Sequence, residues 1–110
     1  MILTRRYDLN IIPGGLPLLI RASHKDTSST LVFSLFTGKG TLAVPAETTA
    51  VFRCKEGSVS ATFALTNGIP TVTVDLTIDF TGTVGIIPCE IVLTNSEYTL
   101  VTATLYLDVR

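Results

Sequence analysis

Few residues in this chain have side chains able to do chemistry, and their spacing argues against a catalytic centre. His24 is the single histidine, set in Ser23-His24-Lys25-Asp26. A nucleophile, base and orienting acid built there would place the base beside a lysine in a polar loop. No Gly-x-Ser-x-Gly elbow exists to present a serine. Cys54 and Cys89 are too few for a structural zinc site and lack the Cys-x-x-Cys spacing. Both fall in stretches that read as strands, so the expectation is two buried free thiols, with a disulfide as the alternative; their Cα separation decides the matter. Asp75 and Asp79 read as the solvent face of one strand, roughly 13 Å apart along it, too far for a retaining glycosidase pair. Gly38-Lys39-Gly40 and Pro13-Gly14-Gly15 are turns, since neither carries the full phosphate-loop spacing ahead of a helix. No cofactor and no metal are expected.

The elements that position these residues are strands. Eighteen of the 110 residues are Thr, and with Val and Ile they make β-branched side chains the dominant type. In 71–80 the alternation is unbroken, which predicts Val72, Val74, Leu76, Ile78 and Phe80 inward with Thr71, Thr73, Asp75, Thr77 and Asp79 outward. Val59, Ala61, Phe63 and Leu65 alternate in the same way before Asn67-Gly68, so 58–80 reads as a hairpin. A second hairpin runs from Cys89, Ile91 and Leu93 through the Asn95-Ser96-Glu97 turn to Val101, Ala103, Leu105, Leu107 and Val109. Weaker strands are predicted over 7–11, 18–23, 30–37 and 50–55, and a turn of helix within 45–52. Short strands separated by turn signals predict an all-β fold, an immunoglobulin-like antiparallel β-sandwich of about seven to nine strands, with a small barrel as the alternative. Residues 1–110 form one domain in this reading, with 1–6 as an extended arm.

Composition excludes several classes of function. Charged residues make up 15% of the chain, hydrophobic residues 46%, and mean hydropathy is +0.51, so disorder is excluded and a surface packed against a neighbour is indicated. No apolar run reaches the length of a membrane helix, and no secretory leader is visible, so synthesis in the cytosol is expected. A net charge of −1 argues against a general nucleic-acid binder. The charges are unevenly placed along the chain. Residues 1–55 carry seven basic groups against three acidic ones, and 56–110 one against six. Either the two halves interleave in space, or the molecule has a basic and an acidic end suited to stacking.

The order of these segments resembles the N-terminal domain of phage baseplate upper proteins, an immunoglobulin-like module at the base of tail and fibre proteins. The likeness rests on layout: the opening strand Tyr7-Asp8-Leu9-Asn10-Ile11, then a polar turn with Asp26 leading into Thr30-Leu31-Val32-Phe33-Ser34-Leu35. The Lys55-Glu56-Gly57 turn, the 82–85 turn before Cys89-Glu90-Ile91-Val92-Leu93, and the last strand over 102–109 complete it. The resemblance implies a non-enzymatic virion structural protein for attachment and oligomerisation. Its partners would be other phage structural proteins and further copies of itself, with neither nucleic acid nor membrane. A carbohydrate-binding or host-surface adhesion module is the alternative.

Docking residues are expected near the N-terminus. Ile11-Ile12-Pro13 and the run from Leu16 to Ile20, with Leu18 within it, are apolar but do not alternate, and prolines bar them from a central strand. They should lie at a sheet edge that a partner covers, oriented by Arg5, Arg6 and Arg21.

Overall fold

The computed structural model describes residues 3–11, 17–37, 40–41, 44–102 and 104–110. About 65% of the described residues are strand and 4% helix, in a mixed sheet curled into a half-barrel. The elements in chain order are β1 (Leu3–Asn10), β2 (Leu19–Ala22), β3 (Ser29–Thr37), β4 (Gly40–Thr41), β5 (Thr49–Cys54), β6 (Gly57–Thr66), β7 (Ile69–Asp75), α1 (Ile78–Thr81), β8 (Gly85–Thr94), β9 (Thr99–Val101) and β10 (Leu105–Val109). Residues 3–6, expected as an arm, belong to β1. The turn of helix expected within 45–52 is not formed there, and a helical turn falls at α1 instead.

Spatial order is β1-β3-β7-β6-β5-β8-β10-β2, with β4 on β3 and β9 on β8. β6 joins the two layers: Gly57 to Ala61 pair with β5, and Thr62 to Thr66 pair with β7. The interior of the sheet is antiparallel as expected, while both edges are parallel: β1 runs with β3, and β2 with β10. Between β1 and β3 the chain crosses to the far edge to lay down β2, a connection long enough to return β3 in the direction of β1. Strands from the basic and acidic halves of the chain interleave in this order, and Arg53 of β5 pairs with Glu90 of β8.

Buried side chains follow the strand period. Leu31, Phe33 and Leu35 of β3 meet Phe52 of β5, Ile91 and Leu93 of β8, and Leu105 and Leu107 of β10. A line of aromatic rings crosses the core: Tyr7–Phe33 at 5.9 Å between centroids, Phe33–Phe52 at 6.0 Å and Phe52–Phe80 at 5.0 Å. Val72, Val74 and Leu76 point inward as predicted, but Ile78 is exposed, because the chain leaves the strand after Asp75 and turns through α1. That turn carries Phe80 to Phe52, so Phe80 is buried from a helical turn rather than from a strand position. Gly82 closes the turn, where a Cβ would lie 2.6 Å from the Ile78 carbonyl. The β6 face is correctly oriented but only half-buried, and Leu65 is exposed. Asn67 and Gly68 both take positive φ, 51° and 78°, the two-residue hairpin turn their types favour.

A bulge corrects the reading of the last hairpin. β8 pairs Val92 with Val101 but Cys89 with Leu105, so three residues on one side face two on the other. The extra residue inverts the alternation: Val101 is exposed, Thr102 is buried, and Leu105, Leu107 and Val109 return to the core. Ala103 lies outside the described residues. Thr102 satisfies the bulge by donating its N–H to the Ile91 carbonyl and accepting the Ile91 N–H at 3.0 Å on Oγ1. Thr102→Val removes that acceptor and leaves a buried N–H unpaired, so urea unfolding should show a loss of about 1–3 kcal/mol.

Candidate interaction surface at the two open edges

β1 and β2 are the ends of the curled sheet, and among the described residues each is paired on one side only. Leu3 N donates to Ser28 O and Ile11 N to Phe36 O, so the odd residues of β1 bond toward β3. The N–H groups of Thr4, Arg6 and Asp8 therefore face outward along a free edge. On β2, Tyr106 N donates to Leu18 O and Arg110 N to Ala22 O, which turns the backbone of Leu19 and Arg21 away from β10. Arg5 Nη1 reaches across and donates to the Arg21 carbonyl, linking the two edges.

Around that link lies a cleft of about 330 Å³ lined by Leu3, Arg5, Arg21, Asp26, Ser29 and Arg110, among others. Asp26 organises its wall. One carboxylate oxygen accepts from Ser28 N at 2.8 Å and Ser28 Oγ at 2.6 Å, and the other from Ser29 Oγ at 2.6 Å. The Ser28 hydroxyl, then the Ser29 hydroxyl and the Ser28 amide, with the Arg5 charge as a smaller influence, bring the Asp26 carboxyl down to about 2 from its ordinary 3.8. Because the folded form holds the proton less tightly than the unfolded chain, this stabilisation is complete above about pH 4 and is lost as pH falls toward 2. Asp26→Asn removes the titration, so the difference in thermal midpoint between wild type and variant should shrink as pH is lowered across that window. A difference constant over the window would show that Asp26 does not contribute in this way.

The structure divides the residues expected to dock. Arg5 and Arg21 meet at the cleft, with the Arg21 side chain exposed. Arg6 points to the opposite face of β1, where it lines a smaller cleft of about 170 Å³ with Val32, Ser34, Asn67 and Thr71. Ile11 is buried in the core and Leu18 packs against it, so neither is free to bind. Ile12 and Leu16 lie outside the described residues. Leu3 lines the cleft and Leu19 lies two residues before Arg21 on β2; each is 53% exposed. Alternation within 18–23 marks Leu19 as outward once Ile20 is placed inward; Leu3 carries no such signal, because 1–6 lacks an apolar period.

The remaining reactive groups are dispersed. His24 Nε2 lies 3.0 Å from the Gly82 carbonyl and ties the 23–28 loop to the end of α1. Asp75 accepts from Thr30 Oγ1 at 2.7 Å, while Asp79 sits in α1 against Gly57, so the two carboxylates do not share the strand face expected of them. Among the described residues there is no group of three or more His, Cys, Asp or Glu side chains that could hold a metal ion, and no helix is long and apolar enough to cross a membrane.

An all-β half-barrel with two exposed parallel edges thus defines the class of the molecule. In three dimensions it is similar to the N-terminal domain of phage TP901-1 ORF48, with a TM-score of 0.65 and 12% identity over 99% of this chain and 99% of that one. The strand layout read from the sequence as that of phage baseplate upper proteins is borne out as a likeness of fold. No protein-family model and no curated protein sequence matches the chain.

Proposed function

We propose that this chain is a non-enzymatic structural component of a phage virion, one attachment domain of the baseplate or adjoining tail, docking through the β1 and β2 edges. The observation that carries the reading is the fold likeness to a phage baseplate protein domain over nearly the whole of both chains. The edges supply the means. Outward N–H groups on β1, exposed Leu3 and Leu19, and the arginines at the cleft combine ladder hydrogen bonds, apolar burial and charge steering in one region. Its partners are other structural proteins of the particle and further copies of the chain. A carbohydrate-binding role has less support, since Tyr7, Tyr98 and Tyr106 are all half-buried and form no exposed stacking platform. Antibody raised against the purified chain and imaged on particles of the phage that encodes it should label the end of the tail. Particles that carry no label, or label on the capsid alone, would overturn the proposal.

A further inference from the structure

Cys54 and Cys89 stand directly opposite each other in the β5–β8 ladder. Ile91 exchanges both its backbone hydrogen bonds with Thr102, and Asn95 N donates to Tyr98 O, so the odd residues of β8 bond toward β9 and β10. The even residues bond toward β5, which places the Cys54–Cys89 pair at a non-hydrogen-bonded site. Cα atoms at such sites are about 4.5 Å apart, with side chains close together on one face. That spacing lies within the range of roughly 4.4–6.8 Å that a disulfide spans. Both are free thiols here, Cys89 buried and Cys54 partly exposed. The polar contacts of the two sulfurs are weak, Cys54 Sγ 3.9 Å from the Asp79 carbonyl and Cys89 Sγ 3.6 Å from that of Ile87. A cleft of about 220 Å³, lined by both cysteines with Arg53, Lys55, Glu90 and Thr104, gives access from solvent.

We propose that Cys54 and Cys89 are a cross-strand redox pair, closing to an intramolecular disulfide when the protein meets a small disulfide oxidant of the glutathione type. Cys54 is the entry point, because it is the more exposed member and because Arg53 and Lys55 beside it attract an anionic oxidant. Its thiolate attacks one sulfur of glutathione disulfide, forming a mixed disulfide and expelling one glutathione thiolate. The Cys89 thiolate then attacks the Cys54 sulfur and expels the second. The protons shed by the two cysteines end on the two glutathiones, and two electrons pass from the protein to the oxidant. Burial, with Cys54 nearby, pushes the Cys89 thiol up to about 12, so the second step is slow and the mixed disulfide accumulates first. The charged residues around the cleft are Arg53, Lys55 and Glu90, while Asp79 of α1 meets Cys54 through its backbone carbonyl and turns its carboxylate toward Gly57. Since none of them lowers the Cys89 value, closure from the mixed disulfide should accelerate about tenfold per pH unit between about pH 7 and 9.

The test uses the reduced, purified full chain incubated with glutathione disulfide, quenched in acid, alkylated under denaturing conditions and weighed intact. The expected sequence is a transient adduct of one glutathionyl group, then a product lighter than the reduced chain by two hydrogens, unalkylated and restored by dithiothreitol. Cys89→Ser should stop at the adduct, and Cys54→Ser should gain an adduct at least tenfold more slowly. If wild type, still folded by circular dichroism, remains at the adduct or keeps two alkylatable thiols, or if it forms covalent dimers instead, the pair is not a cross-strand switch. Equal rates for the two serine variants would overturn the assignment of Cys54 as the entry point.

Discussion

Leu105→Asp should yield no folded protein. Leu105 is fully buried on β10, opposite Cys89, and belongs to the same core as Phe33, Phe52, Ile91 and Leu93. A carboxylate there has no cation to meet, and burying an unpaired charge costs several kcal/mol even after relaxation. The total stability of a domain of this size is about 5–15 kcal/mol, so one such change consumes much of it, with the lost leucine packing adding to the cost. Val74→Asp tests the other layer, because Val74 is equally buried on β7 opposite Leu31 of β3. Soluble yield and the thermal midpoint are the measurements. A wild-type-like midpoint for either variant would mean that the strand faces are assigned the wrong way round.

The second large effect is expected on assembly. Leu3→Lys with Leu19→Lys should leave the fold intact and abolish docking. Both side chains are about half exposed and outside the core, so their loss changes stability little. Two added ammonium groups beside Arg5 and Arg21 would desolvate poorly in an interface and repel one another on approach of a second copy. The structure directs the test to these two residues rather than to Leu16 and Leu18. Lysine at Leu18 would disturb core packing and confuse unfolding with loss of binding, and Leu16 lies outside the described residues. Light scattering for self-association and co-sedimentation with phage particles provide the readouts, with the thermal midpoint as a control. A double variant that associates as wild type does would remove the two edges from the docking surface.

Much of the fold was legible in the chain because burial on a sheet imposes a period of two. The inward sets of β7 and β10, the Asn67-Gly68 turn and the edge placement of β2 all follow from side-chain type and spacing. The residues that broke the pattern did so where a local count of apolar positions cannot register a third dimension. One extra residue near Thr102 inverts the faces without altering composition, and its hydroxyl supplies the acceptor that makes the inversion tolerable. The step from Leu76 to Phe80 looks like strand spacing, but Phe80 must reach Phe52, and a helical turn is the path that delivers it.

What the sequence by itself determined was an all-β chain, since that conclusion needs only residue types and short-range spacing. Tertiary structure alone decided which distant strands became neighbours. It set β1 and β2 at opposite ends of one sheet and curled them until Arg5 met Arg21, separated Arg5 from Arg6 onto different faces, and laid Cys54 opposite Cys89. Those proximities depend on strand order and register across many intervening residues, and order is selected by how the whole set of apolar faces closes on one core, a condition no local pattern contains.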